Sequence, residues 1–166
     1  MFKILIITLF LFSNLLFANE NILAYNTYNQ TLILPKQSEE AKNKIIELIS
    51  TAKQSINISM YNFSYKKFAK ELVQASKNGV KVKLILDKSK VQNDNEIYKY
   101  LKNNGIEIII PKDKVHTKIA VFDDNILLFG SLNWTKESFE NNHEILLISN
   151  DKKIINEVNV FINSFN

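Results

Sequence analysis

The chain carries two hydrophobic periods, one of helices and one of strands. After an apolar run from Ile4 to Phe17, Asn19 to Gln30 is weakly patterned and reads as a tether or an early edge strand. Thr31 to Leu34 then has the makings of a strand ended by Pro35. Ser38 with Glu39-Glu40 behind it suits a helix start, and Ile45, Ile46, Leu48 and Ile49 give that helix an apolar face to about Lys53. Ser55 to Tyr61 alternates with period two and predicts a strand, and Lys66 to Lys77 predicts a helix closed at Asn78-Gly79. Val80 to Asp87 is the next strand, Asn95 to Asn103 a short helix ended by Asn104-Gly105, and Ile106 to Ile110 a strand closed by Pro111. Strands alternating with helices predict an α/β fold, with a mixed, mostly parallel β-sheet sandwiched between helices.

The last third changes character. Val115 to Phe122 and Ile126 to Phe129 flank Asp123-Asp124-Asn125, a hairpin signal; Glu144 to Ser149 follows as a strand and Lys152 to Phe165 as a closing amphipathic helix. With Asp124-Asn125 as a two-residue turn, His116 faces Asn133 and Lys118 faces Ser131 across the two strands. Directly opposed residues, and residues two apart on one strand, share a face of the sheet. That register therefore predicts four polar side chains converging on one patch, and a slip of one residue would break the pairing.

Composition sets the frame. The chain has 166 residues, 46% of them hydrophobic, enough for one packed domain but not for two. Met1-Phe2-Lys3, the apolar run and Ala18 have the layout of a secretory signal, with Leu16 larger than the usual residue before a cut. Residues 1–18 thus read as a signal peptide or a membrane anchor, 19–37 as a tether or edge segment, and 38–166 as the catalytic domain. Either form of export places the domain in a bacterial periplasm or on the outer face of the inner membrane. The chain has no cysteine, which excludes disulfides and thiolate metal sites. A formal charge of +4 leans mildly towards anionic partners.

His116-x-Lys118 with Asp123 five residues after the Lys, followed by Gly130-Ser131-x-Asn133, resembles the HKD motif of the phospholipase D superfamily. The likeness extends from about residue 38 to the C-terminus, through Ser55 to Phe63, "NGVKVKLILD" at 78–87, "GSLNWT" at 130–135 and "NNHEILLI" at 141–148, and is strongest to the small bacterial endonucleases with one motif per chain. The resemblance implies a phospholipase D/nuclease-like fold. It implies that His116 is the nucleophile forming a phosphohistidine, and that Lys118, Ser131 and Asn133 hold the phosphate oxygens in place of a metal ion. Glu144 falls where the family places a carboxylate bonded to the other nitrogen of the motif His, while Asp123, with Gly130, is given a structural role. No cofactor and no metal ligand set is expected. His143, beside Glu144, points to the opposite face of its strand and is read as non-catalytic. With one motif per chain, a second His116 must come from a homodimer sharing one composite site.

Three functions fit these residues. The first is an exported nuclease of little sequence preference acting on DNA, with RNA as a further candidate. Its strand would track Lys66, Lys67, Lys88, Lys90 and Lys112, with Tyr61, Phe63, Tyr65 and Trp134 for stacking. The second is a phospholipase D acting on phospholipids at the membrane that residues 1–18 meet. The third is a membrane-tethered DNA-binding or uptake protein, against which the nucleophile and its orienting carboxylate argue.

Overall fold

A computed structural model of the chain describes residues 27–91 and 95–165. The segment read as a signal or anchor lies outside the described residues. Seven strands form one sheet: β1 (Asn29–Leu34), β2 (Ser55–Met60), β3 (Lys81–Leu86), β4 (Glu107–Ile109), β5 (Lys118–Phe122), β6 (Ile126–Gly130) and β7 (Glu144–Ser149), in the order β1-β7-β6-β5-β2-β3-β4. The helices are α1 (Ser38–Thr51), α2 (Lys66–Lys77), α3 (Glu96–Asn103), α4 (Lys136–Glu140) and α5 (Lys152–Asn163). The sheet is mixed, but it is not mostly parallel. Among the described residues β2–β3 and β3–β4 run parallel, while β1–β7, β7–β6, β6–β5 and β5–β2 are antiparallel. The helical crossovers between β2, β3 and β4 set the parallel pairs; of the antiparallel pairs β5–β6 is a hairpin, while β2–β5 and β1–β7 join strands far apart in the chain.

Strand alternation splits the core in two. Ile56, Ile58, Met60, Leu84, Ala120, Phe122, Leu128, Leu146 and Ile148 face α1, α2, α3 and α4, where Ile45, Ile49, Phe68, Leu72, Leu101 and Phe139 meet them. Ile85, Val121 and Leu127 point to the other face and pack on Ile155 and Ile162 of α5. Among the described residues, α5 alone does not cover that face. Ile33 and Ile145, register partners on β1 and β7, remain 46% and 53% exposed there.

The β5–β6 turn holds three residues rather than two. Phe122 pairs with Ile126 and Ala120 with Leu128, so the register differs by one from the expected pairing and His116 does not face Asn133 as a ladder partner. The cause is Asp123, which sits with Asp124 at positive φ. Its amide donates to Ser55 O at 2.8 Å, and its carboxylate accepts from the amides of Lys53, Gln54 and Ser55 at 2.8, 2.7 and 2.9 Å. This one side chain ties the hairpin to the start of β2, at the end of the sheet away from His116. Burial works to raise the Asp123 pKa, but the three amides, Ser55 foremost, outweigh it and hold the carboxyl below its ordinary value.

Asp123→Ala is expected to destabilise the fold by about 2–3 kcal/mol, since an ionised acceptor of several amides is removed. Because the folded pKa is depressed, this stabilisation is present above the ordinary carboxylate range and lost as pH falls through the folded value. Urea unfolding of both proteins at neutral and at strongly acidic pH should show the gap closing in acid.

Candidate active site

The C-terminal ends of β2, β3 and β6 and the starts of β5 and β7 lie along one edge of the sheet, a consequence of their relative directions. The strand ends and loops there carry His116, Lys118, Ser131, Asn133 and Glu144. They converge through that shared edge and not through the cross-strand pairing expected from the hairpin. β5 itself begins at Lys118, and the residues before it are anchored one by one. Val115 N donates to Asp87 Oδ2 at 2.8 Å, and Thr117 O accepts from Tyr61 N at 2.9 Å while its hydroxyl meets Ser59 Oγ at 2.6 Å. His116 is left exposed between these two anchors.

The residues following β2 form the ledge on which the site is assembled. The ring of Tyr61 lies 4.5 Å from that of His116, tilted by 54°. Asn62 N donates to Asn133 Oδ1 at 3.2 Å, which leaves the Asn133 amide group as a donor. Lys118 donates to His116 O at 2.8 Å, and its ammonium lies 3.3 and 3.4 Å from the two ring nitrogens. On the other side, Gly130 lets β6 press against β7. A Cβ there would stand 2.0 Å from Ile145 O, so no side chain fits. Ser131 N then donates to Ile145 O at 3.1 Å, and Ile145 N to Ser131 Oγ at 3.2 Å.

Glu144, nearly buried, does not make the expected bond to His116. Its Oε2 accepts from Ser131 Oγ and its Oε1 from Asn142 Nδ2 at 3.1 Å. The topology explains this, since β6 lies between β7 and β5 and puts Ser131 in Glu144's way. The Ser131 proton is thereby committed to a carboxylate. Glu144 reaches the motif through charge, acting on Lys118.

Cations dominate the electrostatics. The Lys118 ammonium, some loss of solvent and Lys114 together hold the His116 pKa below its ordinary value, against the pull of Asp87. Burial lowers Lys118; the Glu144 carboxylate pulls the other way, and Lys114 adds to the lowering. His116 is therefore neutral, with a lone pair available, to lower pH than an isolated imidazole.

The other expected substrate contacts disperse. Trp134 is 1% exposed and packs edge-on against Phe63 and Phe68, so both Trp134 and Phe63 are core residues and offer no stacking surface. An indole between a strand end and a helix reads the same in sequence whether it faces in or out. Lys66 pairs with Glu96 at 3.0 Å, Lys67 is an exposed residue of α2, and Lys88 donates to Lys112 O. Two contributors were not singled out from sequence. Asp87 is almost fully buried and accepts from Ser89 N and Oγ as well as Val115 N, joining the loop after β3 to the one before β5. Its signal is an Asp-x-Ser just past a strand, an Asx-turn pattern. The other is Lys114, whose only signal is its place two residues before His116.

Residues 45–165 match the family described as "Cardiolipin synthase, PLD-like domain". The chain is 26% identical to human mitochondrial cardiolipin hydrolase over 119 residues, covering 70% of this chain and 47% of that one. It is 30% identical to a phospholipase D of Rickettsia bellii over 114 residues, 66% of this chain and 56% of the other. It thus spans about half the length of these relatives. Among solved structures, NucT from Helicobacter pylori superposes with a TM-score of 0.77 at 25% identity, covering 84% of this chain and 96% of that one. Nuc from Salmonella typhimurium, a phospholipase D family member, gives 0.76 at 26%, covering 84% and 94%.

An NMR titration of the imidazoles should place the His116 midpoint below the ordinary value of about 6.5. In Lys118→Met the midpoint should rise, because the ammonium beside the ring that disfavours a second positive charge is gone. A midpoint unmoved by that substitution would contradict the assignment.

Proposed function

The chain belongs to the PLD-like domain family, and from that premise we propose that it is a metal-independent phosphodiesterase, an exported endonuclease acting on DNA. The observation that carries this reading is His116, an exposed imidazole with the ammonium of Lys118 at its side, which lowers its pKa. A neutral imidazole beside a fixed cation is suited to attack a phosphodiester whose oxygens that cation holds. In the reaction, a His116 nitrogen bonds to phosphorus and the P–O bond to the leaving strand breaks. That oxygen takes a proton from a second imidazole; water, giving a proton back to that imidazole, then attacks phosphorus, and the P–N bond breaks to restore His116. Lys118 and the amide of Asn133 stabilise the equatorial oxygens through both steps.

The second imidazole is assigned to a second copy of the chain. The face of the sheet that the described residues leave open supports this: Ile33 and Ile145 lie exposed next to Glu144, and a cleft of about 310 Å³ runs from His116 and Lys118 along Ile119, Leu127 and Phe129 to Ile154 and Val158 of α5. Joining two such faces about a two-fold axis buries the apolar surface and brings two catalytic edges together. A strand is favoured as substrate by the near end-to-end likeness to NucT and Nuc, and by the net charge of +4. The N-terminal apolar run puts the reaction outside the cytoplasm in this reading.

The same apolar cleft favours one second reading, a phospholipase D whose lipid chains lie along Ile119 and Phe129. The two are separated by incubating the purified protein and its His116→Ala variant, in excess chelator, with single-stranded circular DNA, duplex plasmid and labelled phospholipid vesicles. The expected result is DNA cleavage by the unmutated protein, loss of at least a thousandfold in His116→Ala, and a dimer by light scattering. Headgroup release with intact DNA would replace the nuclease reading, and activity that vanishes in chelator and returns with a divalent ion would overturn the metal-free one.

A further inference from the structure

Three ammonium groups surround one aromatic ring at the edge of the site. Lys90, Lys118 and Lys114 place Nζ at 5.0, 5.1 and 5.7 Å from the centroid of Tyr61, the ring that packs on His116. Lys118 belongs to the motif; Lys90 and Lys114 do not. Among the described residues neither makes an ion pair, in contrast to Lys66, which ends on Glu96. The two loops that carry them are joined rather than loose. Asp87 takes Ser89 N at 2.9 Å from the turn holding Lys90, and Val115 N at 2.8 Å from the residue after Lys114. Its charge acts on Lys114, but its oxygens are occupied by these amides and the Ser89 hydroxyl. Like charges held together in this way repel one another, and the faces of one ring offset only part of that cost. An anion placed among them would relieve the rest.

We propose that Tyr61, Lys90 and Lys114 form a second phosphate subsite beside His116, which holds the phosphodiester neighbouring the one being cut in a polynucleotide strand. This rests on the nuclease reading and goes beyond it, since the motif residues bind only the reacting phosphate. A strand presents a phosphate about every 3.4 Å of duplex axis, so whenever one phosphate is at His116 another is close at hand. A substrate with a single phosphodiester leaves the subsite empty. The subsite would thus act on affinity for a chain of phosphates and set the position along the strand, with Tyr61 keeping the ammonium groups gathered at its ring.

The test compares the purified protein with the Lys90→Gln/Lys114→Gln double variant and with Tyr61→Leu. Steady-state cleavage of bis(4-nitrophenyl) phosphate, which has one phosphodiester, is measured beside that of a fluorogenic single-stranded oligonucleotide, each at the variant's own pH optimum. The expected result is a fall in kcat/KM on the oligonucleotide about tenfold greater than the fall on the small ester, carried by KM. The dependence of log KM on log salt should also flatten by about one to two in the double variant. Equal losses on both substrates, or a loss carried by kcat, would overturn the subsite. If the unmutated protein leaves the oligonucleotide intact, the nuclease reading fails by itself. Vesicles bearing one-phosphodiester or two-phosphodiester lipids then decide the occupant, and a selective loss on the latter would overturn the strand.

Discussion

The catalytic edge depends on the approach of β6 to β7 at Gly130. The carbonyl of Ile145 occupies the space a Cβ would need there, and the residue that follows can then bond Ile145 in both directions and give its hydroxyl proton to Glu144. From Ser131 the chain leaves the sheet and turns back over the end of β2, where Asn133 takes the amide of Asn62 and Trp134 is buried behind it. A side chain at position 130 would push the two strands apart. The displacement would reach Glu144, Ser131 and Asn133 together, so a single contact of backbone with backbone sets the positions of half the site.

The other half is set by Asp87 and Thr117, which fix the backbone on either side of His116 while leaving its ring exposed. Anchoring the main chain and not the imidazole leaves the ring free to act as the nucleophile proposed above. Charge is distributed to the same end. Asp87 and Glu144 at this edge are buried and engaged with hydrogen-bond donors, while the ammonium groups of Lys90, Lys114 and Lys118 gather at Tyr61. The result is a cationic rim around a neutral imidazole, which favours phosphate over any uncharged ligand.

Much of this was legible in the sequence, because periodicity and motif spacing are local signals. The strands from Ser55, Val80, Ile106, Ile126 and Glu144 and the helices from Ser38, Lys66, Asn95 and Lys152 emerge from apolar spacing and end residues, within a residue or two of their positions. Sheet direction was less accessible, since four antiparallel pairings arise from which strands become neighbours, and apolar patterning does not encode that. The hairpin register slipped because Asp123 spends its carboxylate on three amides some seventy residues earlier, a long-range demand invisible in the turn itself. The sequence leaves Trp134 open as a stacking residue for want of any local sign of its partners Phe63 and Phe68. Glu144's true bonding needed the knowledge that β6 separates it from His116. The short α4, with Phe139 fully buried, lies in a stretch whose polar residues gave no periodic signal.

The central claim is that His116 carries the phosphoryl group, and a trapping experiment tests it most directly. The protein is mixed briefly with an oligonucleotide labelled at the scissile phosphate, quenched in alkali, digested and mapped by mass spectrometry. The account predicts an acid-labile phosphoryl adduct on the peptide containing His116 and none on that containing His143. Label on another residue, or full turnover with no adduct on His116 at any quench time, would contradict it.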